Sequence, residues 1–166
     1  MNVKDIISGV VDRMNETLSN PIGFHHGHPL EIVNTFKQAT HSEDKSVMFP
    51  ALCLFHDIPE KIGIEHEVTI NVVIITDTQP AFTAAERYTN SFDPILTPLY
   101  DLFIQKMAES DYVSSTLDRV DEFDHQKIDR LFWGKQGLYG SQANIFNDYI
   151  DAIEIIDLKF EILNTC

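Results

Sequence analysis

The segment VTINVVIITDT, residues 68–78, constrains the fold of this chain more than any other stretch. In an extended strand, successive side chains point to opposite faces. Both sets of alternating side chains are apolar here: Val68, Ile70, Val72 and Ile74 on one face, Val73 and Ile75 on the other. Other elements must cover both faces of such a strand, so the segment predicts a sheet with this strand near its centre.

Further strands are predicted on either side of it in the chain. FPALCLFHDI, 49–58, is apolar and has its proline near the start, where no ladder donor is needed. The short polar turn between it and 68–78 predicts an antiparallel pair. KIDRLFW, 127–133, alternates and predicts another strand.

The last apolar segment, DAIEIIDLKFEI at 151–162, changes the parity of its apolar residues. Ile153 and Ile155 belong to one alternating set, and Ile156 and Leu158 begin another. Both sets can lie on one face of a single strand if an extra residue interrupts the pairing. We therefore expect a bulge at Ile155 and Ile156.

Two helices are predicted before the sheet. Residues 3–18 carry one apolar stripe at helical spacing, with Asn2 as the cap. Pro29 can open a short helix that runs from Leu30 to about Gln38. The intervening stretch, 22–28, is predicted to be an irregular crossing into the sheet.

A third helical region begins at the capping-box pattern of Thr83 and Glu86 and continues to about Ser110. Pro94 and Pro98 forbid one smooth helix, so a break is expected there, with the regular part starting near Pro94. The segment after it, 111–126, is acidic and is predicted to be a loop.

Together these elements predict an α+β fold. A mostly antiparallel sheet is covered on one face by the N-terminal helix and the long central helix. The 166 residues suit a single domain, 1–166, with a long loop-rich insertion at about 111–150.

Composition excludes several classes of function. The net charge of −14 argues against tight binding to nucleic-acid phosphates, although DNA can still slide past a surface that repels it. No apolar run approaches the roughly 18 residues of a membrane span. The charged residues of the first helix distinguish it from a signal peptide. Two cysteines, Cys53 and Cys166, are too few for a disulfide framework and favour an intracellular setting.

The histidine-rich stretch FHHGHP, 24–29, is the first candidate for chemistry. A zinc site needs three or four ligands held by the fold, and ligands on a helix usually lie four residues apart. His25, His26 and His28 lack that spacing and have no acidic residue among them. Further ligands would have to come from distant segments, so we expect no metal at this stretch.

Other catalytic patterns are weaker. Gly134, Gly137 and Gly140 are not followed by the Lys-Ser/Thr of a phosphate loop. No Gly-x-Ser-x-Gly elbow occurs. Acidic residues such as Glu154 and Asp157 are expected on solvated surfaces in a chain with 26 Asp and Glu. The sequence therefore predicts no catalytic, cofactor-binding or metal-binding residue.

The glycine-rich segment 127–150 favours binding instead. It holds many large apolar side chains, and a long loop is seldom ordered without a function. One interpretation is that the segment folds back on the core of its own chain. The other is a subunit contact, where aromatic residues are the usual anchors. Its interface candidates are Trp133, Tyr139 and Phe146.

The order of these segments resembles the tail terminator, or tail completion, proteins of long-tailed bacteriophages. The resemblance covers nearly the whole chain and begins with the amphipathic first helix. It also rests on "FPAL", "VTINVVIIT", the covering helix "ERYTNSFDPILTPLYDLFIQKM", and the C-terminal segments "KIDRLFWG" and "DYIDAIEIIDLKFEI". The region 111–150 departs from a minimal terminator.

The resemblance implies a non-enzymatic virion protein of the neck and tail that assembles in the host cytoplasm. Its subunits would form a ring, often a hexamer, that caps the tail tube and joins it to the head connector. The implied partners are further copies of the chain, the tail tube protein and the head–tail connector proteins. DNA would only pass through the lumen, with no cofactor and no membrane. Two alternatives stay open: a metal-dependent hydrolase using His25, His26 or His28, and an acidic protein-binding module.

Overall fold

The computed structural model of the chain describes residues 2–40, 49–117, 119, 121–134 and 149–163. Its strands are β1 (Gly23–Gly27), β2 (Ala51–Phe55), β3 (Glu60–Ile62), β4 (His66–Asp77), β5 (Val113–Ser115), β6 (Gln126–Arg130) and β7 (Ile150–Ile162). Its α-helices are α1 (Val3–Thr17), α2 (Pro29–Thr40), α3 (Ala84–Arg87) and α4 (Thr97–Ala108). A π-helix, Tyr88–Leu96, joins α3 to α4.

The strands form one sheet with β4 at its centre. β4 pairs antiparallel with β2 and β3 on one side and with β7 on the other. β5 and β6 both pair antiparallel with the outer side of β7, while β1 pairs parallel with β2. The predicted α+β fold, the mostly antiparallel sheet and the antiparallel pairing of β2 with β4 are confirmed.

The main core lies between one face of the sheet, the first face, and three helical elements. α1, the π-helix and α4 cover this face, and the even-numbered apolar residues of β4 lie beneath them. Six residues of α1 are buried, and the Asn2 side chain accepts a hydrogen bond from the Asp5 backbone N–H, as the predicted cap requires. Those six residues are Val3, Ile6, Ile7, Val10, Val11 and Met14.

The second core lies on the opposite face of the sheet, the second face. Ile32 and Phe36 of α2 belong there to one buried cluster with Val73 and Ile75 of β4. The predicted separation of the β4 side chains between two faces is therefore confirmed. The structure adds α2 as a cover for part of the second face, in addition to the helices on the first face. Further along β4, Asn71 is only half-buried, so this face is partly open.

A bulge interrupts β7 where the parity of its apolar residues changes. Ile70 of β4 pairs with Leu158 and Val72 pairs with Ile155, so β7 has one extra residue between these pairs. Asp157 has a φ of 54° there, and its backbone N–H donates to Asn71 Oδ1 at 2.9 Å. The bulge brings Ile155 and Leu158 into the same core. The predicted irregularity is therefore present, but it lies at Ile156 and Asp157, one residue beyond the predicted position.

The capping box is present, since Glu86 Oε2 accepts from the Thr83 backbone N–H at 2.7 Å and the Thr83 hydroxyl accepts from the Glu86 N–H at 3.3 Å. The carboxylate also accepts from the Thr83 hydroxyl, and the hydrogen bonds from the Thr83 backbone N–H and hydroxyl lower the pKa of Glu86. The predicted break follows as the π-helix that contains Pro94. Regular α-helix resumes at Thr97, with Pro98 in its first turn, where a missing N–H is tolerated.

Three stretches that the sequence predicted as crossing, turn or loop contain short strands. The crossing at 22–28 contains β1, the polar turn contains β3 and the acidic loop contains β5. These predictions were wrong because each strand is short and is held by pairing with a longer partner. Part of the predicted insertion, including 135–148, lies outside the described residues.

Candidate functional site

The histidines of the FHHGHP stretch point in different directions. β1 alternates, so His25 and His26 lie on opposite faces of the sheet. The His25 ring contacts the Phe36 ring of α2, with 4.8 Å between their centroids. The His26 ring lies 5.7 Å from the His56 ring. β1 therefore separates two of the three candidate metal ligands.

The third histidine, His28, is the N-cap of α2. Its Nδ1 accepts a hydrogen bond from the Leu30 backbone N–H at 3.2 Å, and its own N–H donates to Glu31 Oε2 at 3.1 Å. Gly27 has a φ of 143°, and a Cβ there would lie 2.8 Å from that carboxylate oxygen. The φ favours glycine where the strand turns into the helix, whereas the flexible Glu31 side chain could move aside.

Within the described parts of the chain, no group of three His, Cys, Asp or Glu side chains could hold a metal ion. The Nε2 atoms of His25 and His56 are buried without a hydrogen-bond partner. Burial, with a smaller effect from the neighbouring His26, lowers the pKa of His25. His25 is accordingly suited to the neutral form that its apolar surroundings favour.

A groove of about 340 Å³ opens on the second face, where the cover of α2 ends. We call it the sheet groove. Its apolar walls come from the first residue of α2, the end of β2 and the bulge of β7, and polar side chains lie at its rim. The residues that define it are Pro29, Phe55, Asp57, Asn71, Arg130 and Ile156.

Glu154 forms part of the groove wall and is 5% exposed. Its carboxylate accepts hydrogen bonds from Arg130 Nε at 2.9 Å and from Trp133 Nε1 at 3.0 Å. The expectation that Glu154 lies on a solvated surface was wrong, because strand alternation turns it toward Trp133 on the second face. The hydrogen bonds from both partners stabilise the buried charge.

Two donors of the sheet groove remain available to a ligand. Arg130 is 42% exposed and uses Nε for Glu154, while its terminal nitrogens form no ion pair within the described residues. Asn71 uses its oxygen for the bulge N–H, which leaves its amide nitrogen at the groove. A carboxylate accepts from such paired donors.

The connection between β3 and β4 exposes unusually large apolar side chains. We call Ile62, Gly63, Ile64 and Glu65 the hairpin tip. Ile62 is 80% exposed and Ile64 is 107% exposed. The base of the hairpin is polar, since His66 Nε2 lies 2.7 Å from Glu60 Oε2. Neither apolar side chain is covered by another element of the described chain.

Among the predicted interface candidates, Trp133 is 2% exposed and its ring stacks on Phe55 with 6.4 Å between centroids. It packs inside this chain, as in the first interpretation of its segment. Tyr139 and Phe146 lie outside the described residues. The interface role of the three residues stays a prediction.

No family model, curated protein or solved structure matches this chain. None of the helices in the described stretches is long and apolar enough to span a membrane. Sequence reasoning missed the sheet groove because its walls come from five separate segments. The hairpin tip has a local signal in the sequence, two isoleucines within an otherwise polar turn.

Proposed function

We propose that the chain is a ring-forming subunit of a bacteriophage neck, a tail terminator that caps the tail tube and joins it to the head connector. The observation that carries the proposal is the exposed pair Ile62 and Ile64 at the hairpin tip. Isolated exposed apolar residues are ordinary on protein surfaces. Two isoleucine side chains that are almost fully exposed on one hairpin tip favour a surface that another subunit covers.

Covering that surface contributes favourably to assembly. Full burial of one isoleucine side chain contributes roughly 1.5–3 kcal/mol. Closed rotational symmetry repeats the same contact at every subunit, so a modest interface suffices for a stable ring. We propose six copies, as the resemblance to tail terminators implies.

The charge of the chain supports the same proposal. A ring of subunits that each carry −14 would repel DNA phosphates from its lumen. DNA could then pass without sticking, as a neck component requires. The proposed partners are further copies, the tail tube protein and the connector proteins, and the proposed location is the virion after assembly in the host cytoplasm.

The alternatives receive less support from the geometry. A hydrolase built on His25, His26 and His28 would need these side chains to converge, whereas β1 and the cap of α2 direct them apart. An acidic protein-binding module would share the charge of the chain. That alternative gives no reason for the two exposed isoleucines at the hairpin tip.

Native mass spectrometry of the purified chain, with metal analysis of the same sample, tests the proposal. We expect a closed ring of six copies without stoichiometric metal. A chain that stays monomeric over the whole accessible concentration range would contradict the proposal. A monomer with one zinc ion per chain would instead support the hydrolase.

A further inference from the structure

We infer that the hairpin tip of one copy docks in the sheet groove of the next copy. This inference rests on the proposed ring and specifies the two surfaces that form its repeated contact. The occupant of the groove is thus a second copy of this chain.

The apolar surfaces of the two sites match in character. The tip presents Ile62 and Ile64 on either side of Gly63, so no third side chain separates them. The groove offers Phe55 and Ile156, both half-buried, as apolar walls. A volume of about 340 Å³ leaves room for side chains of this size without rearrangement of the sheet.

The polar groups are also complementary. Glu65 follows Ile64 directly and is exposed, while Arg130 and Asn71 present unused donors at the groove. A second pair has the charges reversed: the hairpin carries the exposed Lys61, and the groove carries the exposed carboxylate of Asp57. In the docked arrangement, Glu65 can pair with Arg130 and Lys61 with Asp57, on either side of the apolar contact.

The sheet prevents a copy from filling its own groove. Glu67 and Asn71 belong to the same strand and are separated by about 13 Å at ~3.3 Å per residue. β4 pairs with β7 on both sides of the bulge, so the tip is fixed beyond one end of the sheet. Because tip and groove are different surfaces, the contact is heterologous, and its repetition forms a ring when the rotation between successive copies closes, as the proposed function requires.

Disulfide trapping between two differently tagged chains tests this contact. One chain carries Ile64→Cys and the other carries Ile156→Cys, both in a Cys166→Ser background. Cys53 is fully buried, and burial raises the pKa of its thiol, so it should not react. On mild oxidation of co-assembled chains, we expect disulfides between the two tags. Disulfides confined to pairs of Ile64→Cys chains, or none at all, would overturn the inference.

A pair of surface variants separates this inference from the proposed function. The double variant Ile62→Ser and Ile64→Ser should reduce ring formation at least tenfold while thermal unfolding stays unchanged. Leu117→Ser is the matched control, since Leu117 is 44% exposed outside both surfaces. If the wild-type chain forms rings and the double variant forms them equally well, the tip–groove contact is wrong and the ring survives. If the wild-type chain forms no ring, both the proposed function and the tip–groove contact that rests on it are contradicted.

Discussion

At the scale of single residues, the deepest charge of the described chain is the ion pair of Arg87 and Asp151. Both side chains are at most 1% exposed, and Arg87 Nη1 lies 2.7 Å from Asp151 Oδ1. Arg87 also donates to the Gln79 and Phe82 carbonyl oxygens, and its guanidinium lies 3.6 Å from the centroid of the Phe132 ring. This one side chain therefore ties α3 to β7 and to the turn after β6.

We expect Arg87→Met to destabilise the fold by about 3–5 kcal/mol, because it leaves the Asp151 carboxylate buried without its cation. The double variant Arg87→Met and Asp151→Leu should recover much of that loss. Urea unfolding of the three proteins measures both effects. Equal stability of the single and double variants would show that the unpaired charge is not the main cost.

His25 makes the stability of the fold depend on pH. Burial lowers its pKa below the ordinary value of about 6.5, so the unfolded chain binds the proton more readily. The stability that neutral His25 contributes is complete above that value and is lost as the pH falls through it. We expect His25→Leu to remove this part of the acid destabilisation in thermal unfolding between pH 7 and pH 5.

The matched control is His28→Asn, which removes an exposed histidine and retains a side chain suited to the N-cap. It should lose stability with falling pH as the wild-type chain does. If His25→Leu also keeps the full wild-type pH dependence, burial of His25 is not its source.

At the scale of elements, the bulge of β7 decides which side chains enter the main core. Asp157 has a φ of 54°, a conformation that costs most residues about 1–2 kcal/mol and that glycine and asparagine tolerate better. Asp157→Val should therefore destabilise by about 1–2 kcal/mol, whereas Asp157→Asn should be nearly neutral. Asp157 is exposed, so lost packing does not confuse the comparison. Equal denaturation midpoints for the two variants would contradict the role of the backbone angle.

The elements with local signals were predictable from the sequence. The stripe of α1, the two-faced pattern of β4 and the parity change of β7 all follow from the spacing of neighbouring residues. β1 was missed because its strand form depends on parallel pairing with β2, which no local pattern announces. The burial of Glu154 was missed for a similar reason, since Trp133 and Arg130 reach it from another strand and its turn.

At the scale of the whole molecule, the structure describes one of the three predicted interface residues, Trp133. Trp133 is buried in the second core, so Trp133→Ala should cost about 3–5 kcal/mol of folding stability. Tyr139→Ala and Phe146→Ala should weaken the ring and leave the fold intact, if the segment serves assembly as the sequence predicts. Circular dichroism and native mass of the three variants separate these effects. Normal rings in both of the last two variants would contradict the predicted interface role of Tyr139 and Phe146.

The long pairing of β4 with β7 joins two strands that are synthesised at different times. Asp77 pairs with Ile150 and Glu67 with Glu161, so the central strand precedes its partner by much of the chain length. At ribosomal speed, that interval lasts on the order of ten seconds. During this interval the β7 side of β4 is an unpaired apolar edge, to which chaperones or other chains can bind. β7 also supplies the last residues of the sheet groove. The proposed docking of a neighbour's tip therefore has to follow the pairing of β7 with β4.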